Sequence, residues 1–250
     1  MSCSVSWHPA NQAPSLGNNE VHVWRASLDL PVFQIRRLRD TLTSDELSRA
    51  ERYHFEKDRR HFIVARGLLR AILSRYLGME PSQLRFIYGR YGKPHLAEET
   101  GGELLRFSLS HSDGLALYAV TRDQDVGVDL ERIRSGLAYE AIAKRFFSPG
   151  EMAHFRLLPE ELQPGGFFSC WTRKEAYIKA RGDGLSLPLN RFEVTLAPGD
   201  PPALLRTWDD PPEAARWSLQ ALEPWPGYAA ALAVESHHGS VSYWQMAHAI

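Results

Sequence analysis

Two short stretches hold residue types that could do chemistry together. In residues 125–131, DVGVDLE, Asp129 and Glu131 stand two apart, and in residues 171–179, WTRKEAYIK, Glu175 and Lys179 stand four apart. Val126, Val128 and Leu130 alternate with Gly127, Asp129 and Glu131, so a strand would bury the first set and project both carboxylates from its other face. A helix puts Glu175 and Lys179 on one side, a turn apart. Adjacent carboxylates repel unless a cation or a basic group sits between them. Oxygen-only ligands suit a hard cation such as Mg²⁺, which keeps several waters and shares its shell with substrate phosphates. Glu175 could supply a third carboxylate, and Lys179 could face the phosphate. Each stretch alone also has a bland reading: a solvated strand face, and a surface Glu–Lys pair worth about 0.2–0.5 kcal/mol.

The elements that must position these residues can be read from periodicity. Residues 58–77 are the strongest helix of the first half: Phe62, Ala65, Leu69, Ile72, Leu73 and Tyr76 recur at helical spacing and Gly78 stops them. Its arginines, Arg66 among them, read mostly as a solvated face. A second helix over residues 168–180 ends at Gly182 and Gly184, and Leu185, Leu187 and Leu189 then alternate like a strand edge. Residues 104–110 and 115–121 form a hairpin across residues 111–114, with Ser108 and Ser110 on its polar face and His111 at the end of that row. The acidic strand, one hairpin later, would complete a three-stranded meander and make a phosphate contact by His111 reasonable. Lys93 lies between Gly92 and Pro94, in a turn whose backbone can approach a ligand closely.

Elsewhere, residues 1–20 read as a loose tail, residues 21–26 as a strand, and residues 32–42 and 44–55 as helices with Thr43 or Ser44 as a cap. Residues 84–88 read as a strand and residues 135–147 as a helix. Ser148 and Glu151 have the spacing of a capping box. Residues 163–166 read as a loop. Strands are expected at residues 192–196, 217–222 and 228–234, a long loop at residues 197–212, and an edge strand or frayed end at residues 241–246. The expected fold is α+β: two similar halves, residues 21–123 and 124–250, each with a long helix on a small, mostly antiparallel sheet.

With 250 residues, 44% of them hydrophobic, the chain can bury a sizeable core. A formal charge of −1 gives no global basic field for nucleic acid. Two cysteines, Cys3 and Cys170, argue against a disulfide scaffold and fit a reducing, cytoplasmic setting. No signal-peptide pattern opens the chain, and no apolar run reaches the ~18 residues of a membrane span. A monomer without nucleic acid or membrane is expected.

GVDLE followed about 40 residues later by WTRKEAYIK resembles the 4′-phosphopantetheinyl transferases, in particular their long, surfactin-synthetase type. YGKPHL at residues 91–96, FSLSHS at 107–112, AKRFFSPGE at 143–151 and GLSLPL at 184–189 match in the family's order, and the ordered set is far more specific than any one piece. The resemblance implies two α/β halves related by a pseudo-twofold, with the site in the cleft between them. It implies transfer of the phosphopantetheine arm of coenzyme A to a serine of an apo acyl or peptidyl carrier protein, with release of adenosine 3′,5′-bisphosphate. Matched position by position, Asp129, Glu131 and Glu175 correspond to Mg²⁺ ligands, Glu175 also to a base, and Lys179 to the group facing the leaving phosphate. Lys93, Ser110 and His111 correspond to coenzyme A contacts, and Arg49 to a contact of its 3′-phosphate. Arg66 is a further candidate. Glu46 stands where some relatives have a second basic contact, for which Arg59 or Arg60 could compensate. The segment from Ser148 through Leu157 and Leu158 to Phe168 is either core or the surface that meets the carrier. Two other classes share these residues: a Mg²⁺-dependent phosphohydrolase or nucleotidyl transferase, against which stands the lack of a Walker-type glycine loop, and a non-catalytic coenzyme A or carrier-binding module, against which stands the intact acidic and lysine set.

Overall fold

The structure, a computed structural model, describes residues 6–10, 14–102, 104–235 and 239–246. Strands β1 (His8–Ala10) and β2 (Glu20–Ser27) lead into helices α1 (Val32–Arg39), α2 (Ser44–Ala50) and α3 (Glu56–Leu77). Strands β3 (Phe86–Tyr88), β4 (Pro94–Leu96), β5 (Arg106–Ser112), β6 (Leu115–Thr121) and β7 (Val126–Arg132) follow. Helices α4 (Tyr139–Phe146), α5 (Pro149–Leu157) and α6 (Gln163–Arg181) precede strands β8 (Phe192–Val194), β9 (Leu204–Thr207), β10 (Ser218–Leu222), β11 (Tyr228–Val234) and β12 (Ser240–Met246). The fold is α+β, as expected.

The main sheets are β1-β12-β2-β6-β5 and β10-β11-β7. They stack face to face, with α3 against the outer face of the first and α6 against that of the second. Strand parity explains the layers. Trp24 of β2 and Ala116, Tyr118 and Val120 of β6 pack with α3 residues such as Leu69 and Ile72. Their neighbours Val21, Val23, Leu117 and Ala119 turn inward onto Val126, Val128 and Leu130 of β7 and Leu232 of β11. Ala231 and Ala233 of β11 face outward, onto the α6 side with Ala176 and Ala180. A strand covered on both faces has no polar side, which is why β6 reads LALYAV without a break.

Local signals set several boundaries. Thr43 caps α2 in a capping box with Glu46, and Ser148 caps α5 with Glu151. Gly78 and Gly182 end α3 and α6 in the left-handed conformation, at φ of 63° and 76°.

Other expectations need correction. Strand β7 does not extend the β5–β6 hairpin; it pairs antiparallel with β11 in the second sheet. The hairpin turn is only Asp113-Gly114, so His111 and Ser112 lie in β5. Residues 163–166 are the first turn of α6, where Pro164 lacks an N–H that the helix would leave unpaired anyway. Leu187 and Leu189 follow and enter 3₁₀ turns rather than a strand edge. Strand β9 lies within the long loop. Strand β12 is no edge: it runs parallel to β2 and to β1, between them. Within the expected tail, His8–Ala10 is therefore a strand; residues 1–5 and 11–13 lie outside the described residues. Phe155 and Phe168 are core, whereas Leu157 is 80% exposed.

Candidate active site

Gly127 sets the approach of α6 to β7. A Cβ there would lie 2.0 Å from the Ala176 carbonyl and 2.4 Å from the Ala180 nitrogen, so only glycine lets the helix backbone press on the strand. Asp129 and Glu131, next on the same strand face, are thereby brought beside Glu175 and Lys179. Asp129 is 3% exposed. Its Oδ1 accepts hydrogen bonds from Lys179 Nζ at 2.6 Å and Ser110 Oγ at 2.8 Å. Its Oδ2 is buried and has no partner among the described residues. Glu131 Oε2 accepts from Ser112 Oγ at 3.0 Å.

Two of the three carboxyls, Glu131 and Glu175, are raised, first by burial and then by the Asp129 charge. Burial and the Asp129 charge push Glu131 above its ordinary value, outweighing Ser112 and Lys179. Burial, then Asp129, push Glu175 up to about 7; Lys179 opposes this and Glu131 adds to it. The Glu175 carboxylate has no hydrogen bond or ion pair among the described residues. As arranged, with Lys179 resting on Asp129, no three acidic, His or Cys side chains among the described residues form a ready-made metal cage. The donor chemistry still fits a hard cation: oxygen donors only, an orphaned Oδ2, and two carboxyls held above their usual range by burial and then by neighbouring negative charge.

Strand β5 is bound to β7 through serine hydroxyls rather than a backbone ladder. Ser108 Oγ accepts from the Val128 N–H at 3.1 Å and Ser112 Oγ from the Arg132 N–H at 3.2 Å. Ser112 Oγ thus accepts from the Arg132 N–H and donates its hydroxyl hydrogen bond to Glu131. The sequence places Ser108 and Ser110 on one polar face and singles out Ser110 for the site; Ser112, two further on, continues the same row in β5 and is the one it leaves in the turn.

His111 points to the opposite side of β5 from the serines, onto the α3 side. There a cavity of about 200 Å³ is lined by Arg49, Arg66, Tyr53, Phe62, Tyr88 and His111 among others. His111 is accessible within this concave surface. Burial, Lys179 and His61 hold its pKa below the ordinary value, against Asp58. Arg49 is exposed at the rim, its guanidinium 5.7 Å from the Phe62 ring centroid. Arg66 is buried and already engaged: Nε meets Glu46 Oε1 at 2.5 Å, and a terminal nitrogen meets the Tyr88 hydroxyl at 2.5 Å. Arg70 binds the other Glu46 oxygen at 2.8 Å. Burial alone would raise the Glu46 carboxyl, but Arg66, the Thr43 N–H and Arg70 outweigh it and hold it low. Glu46 therefore anchors two arginines from inside. Arg59 and Arg60 pair with Glu56 and line a separate groove with Arg36 and Arg39.

A second cavity, about 280 Å³, is walled by Tyr91, Pro94 and Phe107 from the β3–β5 region and by Glu175, Ile178 and Lys179 of α6. Gly92, Pro94 and Leu109 border both cavities. Lys93 is part of the lining of the second cavity, and its ammonium is engaged by backbone: it donates to the Ala180 carbonyl at 2.7 Å and the Val126 carbonyl at 3.4 Å.

One charged pair is wholly internal. Lys174 and Glu151, both 0% exposed, meet at 2.8 Å; Lys174 also donates to the Leu189 and Phe192 carbonyls, and Glu151 accepts from the Val194 N–H. The lysine of the motif that bears Glu175 and Lys179 thus ties α6 to α5 and β8.

Carboxylates, a lysine and basic side chains around an inter-sheet cleft are the parts of an enzyme that moves a phosphate-linked group, where positioning and charge do most of the work. Comparison with known proteins narrows this class. Residues 24–122 match the family described as 4′-phosphopantetheinyl transferase, N-terminal, and residues 125–233 match the 4′-phosphopantetheinyl transferase superfamily. The chain is 44% identical over 239 residues to the 4′-phosphopantetheinyl transferase HetI of Nostoc sp., covering 96% of this chain and 98% of that one. It is 30% identical over 171 residues to the 4′-phosphopantetheinyl transferase Sfp of Bacillus subtilis, covering 68% and 74%. A crystal structure of Thermotoga maritima holo-[acyl-carrier-protein] synthase is similar over 46% of this chain and 64% of that one, at 20% identity and a TM-score of 0.36. This chain belongs to the 4′-phosphopantetheinyl transferase superfamily.

Proposed function

We propose that this enzyme transfers the 4′-phosphopantetheine arm of coenzyme A to the serine of an apo acyl or peptidyl carrier protein, releasing adenosine 3′,5′-bisphosphate, and that it does so with Mg²⁺. The observation that carries the reading is the meeting of Asp129, Glu131, Glu175 and Lys179 in the cleft, one strand away from Arg49 and His111. Asp129, Glu131 and Glu175 would hold the cation, which when bound neutralises charge on the pyrophosphate. Arg49 and His111 bind the 3′-phosphate end; an anion beside His111 would reverse the balance that keeps its imidazole neutral. Ser110 orients Asp129 and, with Lys179, stands near the pyrophosphate. Lys179 leaves Asp129 to offset charge on the leaving oxygen. Glu175, whose carboxylate has no hydrogen bond or ion pair to protein among the described residues, accepts the proton of the attacking carrier serine, directly or through water. Arg66 stiffens the 3′-phosphate wall from behind through Tyr88.

In this reading residues 21–123 supply the coenzyme A contacts and residues 124–250 the carboxylates, the two halves being related by a pseudo-twofold. No helix among the described residues is long and apolar enough to cross a membrane; a cytoplasmic monomer is proposed. The test is a mass-shift assay with several apo carriers, coenzyme A and Mg²⁺. A carrier that gains the phosphopantetheine mass, with adenosine bisphosphate released only when carrier is present, supports the reading. Bisphosphate release without a carrier would point to a hydrolase instead.

A further inference from the structure

The turn between β3 and β4 belongs to the first half of the chain, yet it is seated on the end of α6 in the second. Three contacts hold it. A Cβ on Gly182 would lie 3.4 Å from Lys93 Cδ, and one on Gly184 would lie 3.0 Å from Tyr91 Cβ, so the two glycines after α6 form the bed on which the turn rests. The Lys93 ammonium then donates to the Ala180 carbonyl at 2.7 Å and to the Val126 carbonyl at 3.4 Å. Carbonyls in the last turn of a helix have no partner within the helix, and a cation there is favoured by the helix dipole. Here that cation comes from the other half of the molecule.

Ala180 directly follows Lys179, and Val126 opens the strand that carries Asp129 and Glu131. One ammonium thus joins the turn that walls the second cavity to both elements that bear the candidate site groups. We propose that Lys93 is a positioning residue: a latch that closes the β3–β4 turn onto α6 and β7, so that a ligand filling the cavity is gripped by both halves at once. Two of the three ammonium donors are spent on backbone carbonyls. The lysine acts on coenzyme A through the turn and not by pairing with a phosphate.

The latch itself is independent of the reaction, while its effect on coenzyme A rests on the proposed function, and the two are tested separately. In ligand-free protein, Lys93→Met is expected to speed amide hydrogen exchange in residues 89–93 and 180–184 by about tenfold, and to leave exchange in α3 unchanged. In the transferase assay, the KM values for coenzyme A and for 3′-dephospho-coenzyme A should rise by the same factor, about tenfold, with the carrier KM unmoved. Unchanged exchange in the ligand-free variant overturns the latch, whatever happens to activity. A KM rise confined to coenzyme A makes Lys93 a 3′-phosphate contact and also overturns it. Absence of transfer by the wild-type protein to any carrier defeats the functional reading alone, because the exchange measurement still decides the latch. If Lys93→Met does not fold, Lys93→Gln is read by the same two measurements.

Discussion

Replacing Glu175 by glutamine should stabilise the ligand-free protein while abolishing transfer. The amide keeps the shape of the side chain and removes its charge. Glu175 has an ordinary pKa of 4.5 and is pushed up to about 7 by burial and by the charge of Asp129. The folded state therefore holds this proton more tightly than the unfolded chain. Stability contributed by the group is full below pH 4.5, falls as pH rises through that window, and is flat above about 7. At 1.36 kcal/mol per unit, the gap amounts to about 3 kcal/mol at pH 8 and about 1 kcal/mol at pH 5. Glutamine is polar and also loses water on burial, so a net gain of about 2 kcal/mol at pH 8 is the realistic expectation. For a chain of this size that is a rise in Tm of roughly 4–8 °C. Thermal melts at pH 5 and pH 8 with a chelator present would measure it. Added Mg²⁺ should raise the wild-type Tm and narrow the difference from the variant. A gain of equal size at both pH values, or a loss at pH 8, would refute the claim that burial and the neighbouring Asp129 charge penalise the ionised Glu175.

Asp129→Ala should abolish the carrier mass shift while leaving the circular dichroism spectrum native, since it removes one hydrogen-bonded charge pair but also relieves Glu131 and Glu175; full activity of the variant, or wild-type activity unmoved by chelator, would exclude the metal assignment. Glu131→Ala should be milder, because water can replace one ligand of Mg²⁺. Lys174→Met should cost about 3–5 kcal/mol in urea unfolding by stranding the Glu151 charge, and the double variant with Glu151→Gln should recover part of that loss. Leu157→Ala should raise the KM for carrier and leave that for coenzyme A unchanged; no change in either would remove Leu157 from the docking surface. Leu158, which packs against the core, is not a clean probe.

Legibility differed from element to element. The long helices, the glycine stops, the Ser148–Glu151 capping box and a cap at Thr43 or Ser44 are legible because their signals are local: side-chain spacing, a left-handed residue, a hydroxyl at the helix start; the Thr43–Glu46 box is added by the structure. The α6 start was missed because Pro164 and two glycines look like a loop, although a first helical turn tolerates proline. Alternation along β5 puts Ser108 and Ser110 on one face, as found, but His111 does not end that row, because the hairpin turn has two residues and not four. That one shift moves His111 from the serine side to the α3 side of its strand.

What the sequence determined by itself is the set of candidate site groups, Asp129 and Glu131 by strand alternation and Glu175 and Lys179 by helical spacing, and the family by the order of its motifs. What only the tertiary structure decided is whom each group meets. Nothing in local spacing says that β7 pairs with β11, that β12 runs between β1 and β2, or that Lys93 ends on the α6 carbonyls. Glu46 looked like a lost basic contact until it was seen to hold Arg66 and Arg70. Backbone propensity acts over a few residues, whereas these partners are chosen by burial. A buried charge or carbonyl must find its complement wherever the packed layers bring one within reach, and that distance is not written in the order of the chain.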